Sequence, residues 1–509
     1  MRAPGSSNTS AGSTAASTAV LIAIVLVAAG LRWERLFEGL WLDELHTSWT
    51  ISGSLGEMRE RAAIANVSPA WFVLPRWSTQ LAGPSEVTLR APSFLAGLAV
   101  LVALYGLVWR WTGSQVAALL AAFLAAADRH FIFYAADARA YATLQLVGIA
   151  QVACFVRLVF PGRPDLQRSD ARLAGVAVLL SALLFYLHYS TALLLIAEAI
   201  FAVRRPSRTI VLSGLATAVL CLGAVPQLME IAARGGEFAR AAQPRDVGSV
   251  LSQLVLERSA LLCAGLAVLA WATARSMRGA RWVSSVDGER VAWCVVWFAV
   301  PLVLAWLLTM LEVAPLLEPR YVIVSAAAPI VLAALFCGAL VDVRARLALG
   351  VALAGTAVAV GAEPSRVSEG WREAIARISE DAKDRGLPVF VRSGLLETND
   401  LTDRDAAENT LLYQYALLPA TGLYPIEPPG RDLSPLRAAD AAKLRPAQRE
   451  LVVERGGAWL LLRGTVSGAR SVAERIREDF EAHGHPAGFS LGEAHGTVHL
   501  FRLELRANG

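Results

Sequence analysis

Asp43 and Glu44 stand side by side in Trp41-Leu42-Asp43-Glu44-Leu45-His46, with Thr47, Ser48 and Trp49 behind them. An ionised carboxylate can take a proton from a hydroxyl, so the pair is a candidate for general-base work. Read as a helix, the segment puts Trp41, Leu42, Leu45 and Trp49 within an arc of roughly 100°. Asp43 and Thr47 fall on the far side, with Glu44 and His46 flanking. The pattern predicts a helix in a membrane surface, its tryptophans in the interface and its carboxylates turned to water or a cleft. A surface helix with ordinary solvated acids fits the stretch equally well.

Three further sets of residues could do chemistry: Asp137-Ala138-Arg139-Ala140-Tyr141, His188-Tyr189 and Glu318-Pro319-Arg320-Tyr321. Each lies at the end of an apolar segment, where ionisable groups are costly unless paired or functional. A helix-end anchor would account for any one of them, since arginine and tyrosine favour interfaces.

The elements that must position these residues are mostly membrane. The chain has 509 residues, 55% of them hydrophobic and 18% charged, with a mean hydropathy of +0.48. That is too apolar for an ordinary soluble enzyme. The net charge of +4 is small, and nothing points to nucleic acid. Lys383 and Lys443 are the only lysines among the basic residues, as a GC-rich coding sequence would give. Cys154, Cys221, Cys263, Cys294 and Cys337 all sit in apolar stretches without a CxxC, which argues against zinc and a disulfide framework.

Composition predicts a disordered tail over 1–16 and a first apolar run from Ala15 to Leu31, read as an uncleaved membrane helix. A first outer loop follows over 32–87. Further spans are expected at 88–109, 114–130, 140–157, 172–187, 189–203, 209–228, 258–274, 291–311, 320–341 and 345–361, about eleven helices in all. With the N-terminus inside, arginines concentrate in the inner loops, and the loops at 131–139, 188 and 312–319 are poor in them. All four chemical features then share the outer face. The outer loop at 229–257 breaks the bias with Arg234, Arg240 and Arg245, which marks either an anionic ligand or solvated charges.

After Gly361 the chain turns polar. A helix carries Trp371, Ala374, Ile375, Ile378 and Ala382 on one face, and strands are expected at 387–391, 458–462 and 498–505. Ser471-Val472-Ala473-Glu474 reads as a capping box opening a helix through Ile476 and Phe480. The alternation predicts a small extracytoplasmic α/β domain over 362–509, with the transmembrane domain over 17–361.

Taken in order, these motifs resemble the multi-spanning GT-C glycosyltransferases, in particular bacterial relatives of protein O-mannosyltransferases and of the aminoarabinose transferases of lipid A. The resemblance covers most of 17–380. It rests on Trp41-Leu42-Asp43-Glu44, on Ser68-Pro69-Ala70-Trp71-Phe72 leading to Arg90-Ala91-Pro92-Ser93, and on Ala138-Arg139-Ala140-Tyr141. It continues through His188-Tyr189, Pro319-Arg320-Tyr321 and the Trp371–Ala374 opening of the tail. No single motif is specific; their order is. One departure is Ser68, where relatives usually carry histidine before the proline.

The resemblance implies transfer of a sugar from a polyprenyl phosphate to the hydroxyl of a lipid, glycan or protein acceptor, on the outer face of the bacterial inner membrane, with inversion. It makes Asp43 the general base. Glu44 would assist, bind the acceptor or hold a divalent cation such as magnesium or manganese. Departing phosphate calls for fixed cations, and bidentate arginine suits it. Arg320 ranks first, then Arg139, with Arg245 third, and Tyr321 and Tyr141 as hydrogen-bond donors. His188 is assigned to sugar, phosphate, a metal shared with Glu44, or structure. A transporter or flippase of lipid-linked sugars is the competing reading, but such proteins usually carry internal repeats and midplane charges, and neither is evident. A polysaccharide polymerase or ligase would keep the donor and change the acceptor. A structural scaffold would leave the acidic pair unexplained.

Overall fold

In a computed structural model the chain is described at residues 7–160, 167–232, 259–278, 282–360, 369–395, 397–398, 401–426, 432–436 and 444–505. It divides into two compact units, one of Met1–Arg35 and Arg90–Pro364, the other of Leu36–Leu89 and Ser365–Gly509.

The first unit is helical, as apolar segments must be where no water can satisfy the backbone. Among the described residues, seven helices are long and apolar enough to cross a membrane: Thr14–Phe37, Glu86–Thr112, Tyr141–Val159, Arg208–Ala232, Ser259–Met277, Gly288–Met310 and Val343–Val360. Gln115–Ala127 and Arg129–Ala135 are bent by 65° and make an eighth if they form one span. The bend has a local cause. Asp128 accepts hydrogen bonds from the backbone N–H groups of His130 (3.0 Å) and Phe131 (3.3 Å), so it caps a new helix rather than continuing the old one. Ala171–Leu187, Tyr189–Ala202 and Ile323–Gly338 are shorter apolar helices. Every expected span therefore has a helix at its place, and the chain is a multi-pass membrane protein. Only seven or eight helices meet the spanning length, against the eleven expected. The first helix begins at Ser7, inside the stretch whose composition suggests disorder; Ala11, Ala15 and Ala16 are strong helix formers there.

Small residues let these helices approach. A Cβ added at Gly97 would lie 2.4 Å from the Cβ of Ala135 and 3.3 Å from its Cα. One at Gly148 would lie 3.3 Å from Cγ1 of Val324, so Tyr141–Val159 packs tightly on the turn Ile323–Ser325. Trp297 holds the same turn from another side, its Nε1 donating to the Val324 carbonyl at 3.0 Å.

The second unit joins the first outer loop to the C-terminal segment, whereas the sequence reading groups that loop with the transmembrane helices. Its sheet has strands β1 (Val389–Arg392), β2 (Leu433–Pro435), β3 (Gly457–Arg463), β4 (Ala487–His495) and β5 (Val498–Leu505), ordered β2-β1-β3-β5-β4. β1 runs parallel to β2 and β3, while β5 is antiparallel to β3 and β4. Phe390, Leu460 and Phe501 lie in register across β1, β3 and β5. They share a core with Val472, Ile476 and Phe480 of the helix Val466–Ala482. That helix is capped by Thr465, whose hydroxyl accepts from Gly468 N–H at 3.2 Å, so Ser471 lies within it rather than at its start. Trp371, Ala374, Ile375 and Ile378 are buried on one face of Trp371–Arg385, as their spacing predicts.

Gly97→Val would overpack the contact with Ala135, at an expected cost of about 1–3 kcal/mol. The measurement is the thermal midpoint of the purified protein in detergent; an unchanged midpoint would mean that the two helices separate without cost.

Candidate functional site

Within the first unit, three turns between helices bring most of the expected phosphate-binding residues to one place. Asp137–Arg139 lies between Arg129–Ala135 and Tyr141–Val159, His188 follows Gln167–Leu187, and Arg320-Tyr321 precedes the turn Ile323–Ser325. Arg320 thus sits ahead of a helix that begins only at Ala327, not at the first turn of a span.

His188 is the centre of the group. Its ring lies 5.4 Å from that of Tyr321 and 6.0 Å from that of Tyr141, centroid to centroid. The guanidinium of Arg320 lies over the Tyr321 ring, 5.1 Å from its centroid. Tyr134 extends the cluster, with ring centroids 4.8 Å from Tyr141. Burial first, then the charges of Arg139 and Arg320, push the His188 imidazole well below its usual pKa. The ring is therefore neutral near pH 7. Its Nδ1 lies 2.9 Å from the Oγ and 3.3 Å from the backbone nitrogen of Ser190. Ser190 also ties two turns together, its Oγ donating to the Tyr321 carbonyl at 2.9 Å. Ser93 of the Arg-Xaa-Pro-Ser element supports the third, donating to the Arg139 carbonyl at 3.0 Å.

Arg139, Arg320 and Tyr321 remain partly exposed, while Tyr141 is buried. Two guanidiniums beside a neutral imidazole and a phenol, at the edge of a low-dielectric region, are a setting for an anion. Among the described residues, no group of three or more His, Cys, Asp and Glu side chains could hold a metal. Arg245 lies outside the described residues.

The acidic pair belongs to the second unit. Leu42–Ser52 is a helix, with Asp43 partly exposed in its first turn. Glu44 is wholly buried. Its Oε2 accepts from Trp41 N–H at 3.4 Å, so this carboxylate caps the helix and does not face water. Leu42, Leu45 and Trp49 are buried inside the unit rather than set in a membrane interface. The expected one-sided pattern fails because His46, Thr47, Ser48 and Thr50 are buried too. His46 donates from Nε2 to the Arg61 carbonyl at 3.1 Å and meets Phe72 and Tyr415 edge-on. An exposed apolar stripe occurs instead on the neighbouring helix Val73–Ala82, where Leu74, Trp77 and Leu81 face outward.

Residues that the sequence reading missed hold this loop. Glu86 Oε1 accepts from Arg372 Nη1 at 3.1 Å and from the Tyr424 hydroxyl at 3.0 Å. Arg372 also donates to the Phe37 carbonyl (3.1 Å), and Tyr424 accepts from Leu40 N–H (2.9 Å). Burial pushes the Tyr424 phenol up, so it stays a donor at neutral pH. Glu369 bonds to Leu42, Trp371 and Arg463. The contacts that tie the loop to the tail leave no local sequence signal, because their partners lie 286 to 384 positions apart.

No family model and no curated protein matches the chain. Solved structures do. The structure of ArnT from Cupriavidus metallidurans bound to undecaprenyl phosphate aligns with a TM-score of 0.54 at 13% identity, over 96% of this chain and 98% of that one. ArnT from the same organism in the apo state aligns with a TM-score of 0.53 at 13% identity, over 97% and 98%. The chain therefore has the GT-C fold, an integral-membrane helical body with a small C-terminal sheet. The fold seen in ArnT extends over nearly the whole of both chains.

Proposed function

We propose that this protein is an integral-membrane glycosyltransferase that moves a sugar from a polyprenyl phosphate to an acceptor hydroxyl, with inversion at the anomeric carbon. The observation that carries the reading is the convergence of Arg139, Arg320, Tyr141 and Tyr321 on a neutral His188, in a fold shared with a protein that binds undecaprenyl phosphate. The acceptor hydroxyl belongs to a lipid, glycan or protein, and the distribution of loop arginines favours chemistry on the outer face of the bacterial inner membrane.

In this scheme Asp43 takes the proton of the acceptor hydroxyl. The oxygen attacks the anomeric carbon, the bond from that carbon to the phosphate oxygen breaks, and its electron pair leaves on the phosphate. Arg320 and Arg139 stabilise the charge that develops there, and the Tyr321 hydroxyl adds a donor. Glu44 supports Asp43 by fixing the start of its helix. A magnesium or manganese ion, if the reaction takes one, would have Asp43 as its nearest exposed carboxylate on that helix rather than Glu44. Arg245 is a further candidate for the phosphate.

Asp43→Asn keeps size and polarity and removes the proton acceptor. Turnover of lipid-linked sugar and acceptor fractions from cells lacking the gene should fall roughly 10²–10⁴-fold with the protein folded. Normal turnover would remove Asp43 as the base.

Arg320→Lys keeps the charge and loses the planar fork. Turnover should fall strongly, and undecaprenyl phosphate binding should weaken less, because charge on the bridging oxygen grows in the transition state. Parent-like behaviour of Arg320→Lys with loss in Arg139→Lys would move the clamp to Arg139. Parent-like behaviour of both would place the phosphate elsewhere.

A further inference from the structure

Glu369 uses both carboxylate oxygens on three separate parts of the second unit. Oε1 accepts from Arg463 Nε at 3.0 Å and Nη2 at 2.6 Å. Oε2 accepts from Trp371 Nε1 at 2.9 Å and from the backbone N–H of Leu42 at 2.8 Å. Leu42 is the first residue of the helix Leu42–Ser52, and Asp43 is the second. The side chain is 6% exposed, so these bonds are shielded from competing water.

The first N–H groups of a helix have no partner within it. Here two acids supply partners, one near in sequence and one distant: Glu44 takes the N–H of Trp41, and Glu369 takes that of Leu42. A carboxylate suits this place, because the helix N-terminus carries partial positive charge. Arg463, at the end of β3, and the Trp371 indole fix the orientation of Glu369 itself. The first turn that carries Asp43 is thereby referenced to the sheet, a rigid element, rather than to its own loop.

Resting on the reading of Asp43 as the base, we propose that Glu369 is a positioning residue for that base, and that the C-terminal segment serves the reaction by holding the helix of Asp43 through the Glu369–Arg463 pair. A reacting group displaced by about 1 Å can cost on the order of 10²-fold in rate. The first outer loop and the tail would then have to be matched to one another in any active protein.

The test compares full-length parent protein, Glu369→Gln, Asp43→Asn and the double variant, each assayed with the extracted donor and acceptor fractions. Glu369→Gln keeps the shape of the side chain and removes the charge that answers Arg463. It should lower kcat roughly 10–100-fold with KM for the lipid donor unchanged, and it should have no further effect in the Asp43→Asn background. Equal losses in both backgrounds would mean that Glu369 acts independently of Asp43 and would overturn the proposal. Hydrogen exchange reads the positioning without the reaction: Glu369→Gln should speed exchange at the start of Leu42–Ser52 by roughly tenfold or more and leave β3 unchanged. Unchanged exchange there overturns the proposal whatever turnover does. Normal turnover of Asp43→Asn overturns the base assignment, and the exchange result then still decides whether Glu369 holds the helix. If Glu369→Gln does not fold, Arg463→Lys serves, since it keeps the charge and loses the fork; its expected effects are smaller and in the same direction, and parent-like exchange at Leu42 would again overturn the proposal.

Discussion

Two guanidinium groups act on one neutral imidazole, and that concentration of positive charge is the constraint that the helical unit is built to meet. Like charges near a common ring repel, and the low dielectric of a helix bundle strengthens the repulsion. The arrangement persists only if surrounding structure holds each turn in place. Ser190 anchors Tyr321, Ser93 anchors the backbone of Arg139, and Gly148 and Trp297 seat the segment that follows Arg320. An anion entering such a place would meet two guanidiniums held near one neutral ring. Fixed donors that need no rearrangement at that moment are the most effective kind of electrostatic stabilisation.

The second unit answers a different demand. The helix that bears Asp43 lies in a loop of some fifty residues, and contacts from the C-terminal segment hold that loop. Glu86 with Arg372 and Tyr424 ties both ends of that loop to the C-terminal segment, and Glu369 with Arg463 ties the start of the helix that bears Asp43. The sheet behind these contacts has the layered apolar core of Phe390, Leu460, Phe501 and Phe480 that makes it a firm reference. Assigning the tail to positioning explains a polar domain in which no nucleophile elbow or phosphate loop occurs.

Much of this was legible in the sequence, for reasons that differ by element. Apolar segments of spanning length announce themselves, because the bilayer sets their length and removes any alternative to a helix. The strands around Val389, Leu460 and Leu500 were visible as apolar runs bounded by turns, and Val472, Ile476 and Phe480 as a helical stripe. The cluster around His188 was legible as ionisable residues at the ends of apolar segments. The failures are equally physical. The Trp41–Trp49 pattern looked like an interfacial helix because spacing reports which side chains share a face, not what covers the other face; here the polar side is buried as well. Ser471 matched a cap by residue type, yet Thr465 starts the helix earlier. Glu86 and Tyr424 carry no local pattern, and neither does the bond of Glu369 to Leu42, since these partners are brought near only by the completed fold.

The central claim is that this fold breaks a sugar–phosphate bond. The most direct measurement uses the purified protein in detergent micelles, where no second compartment exists, with the lipid-linked sugar and acceptor fractions from cells lacking the gene. Mass spectrometry should detect free polyprenyl phosphate and glycosylated acceptor appearing in equal amounts, and neither with Asp43→Asn protein. Absence of bond cleavage in micelles, together with movement of the lipid-linked sugar across sealed vesicles that contain the protein, would contradict the account and identify a transporter.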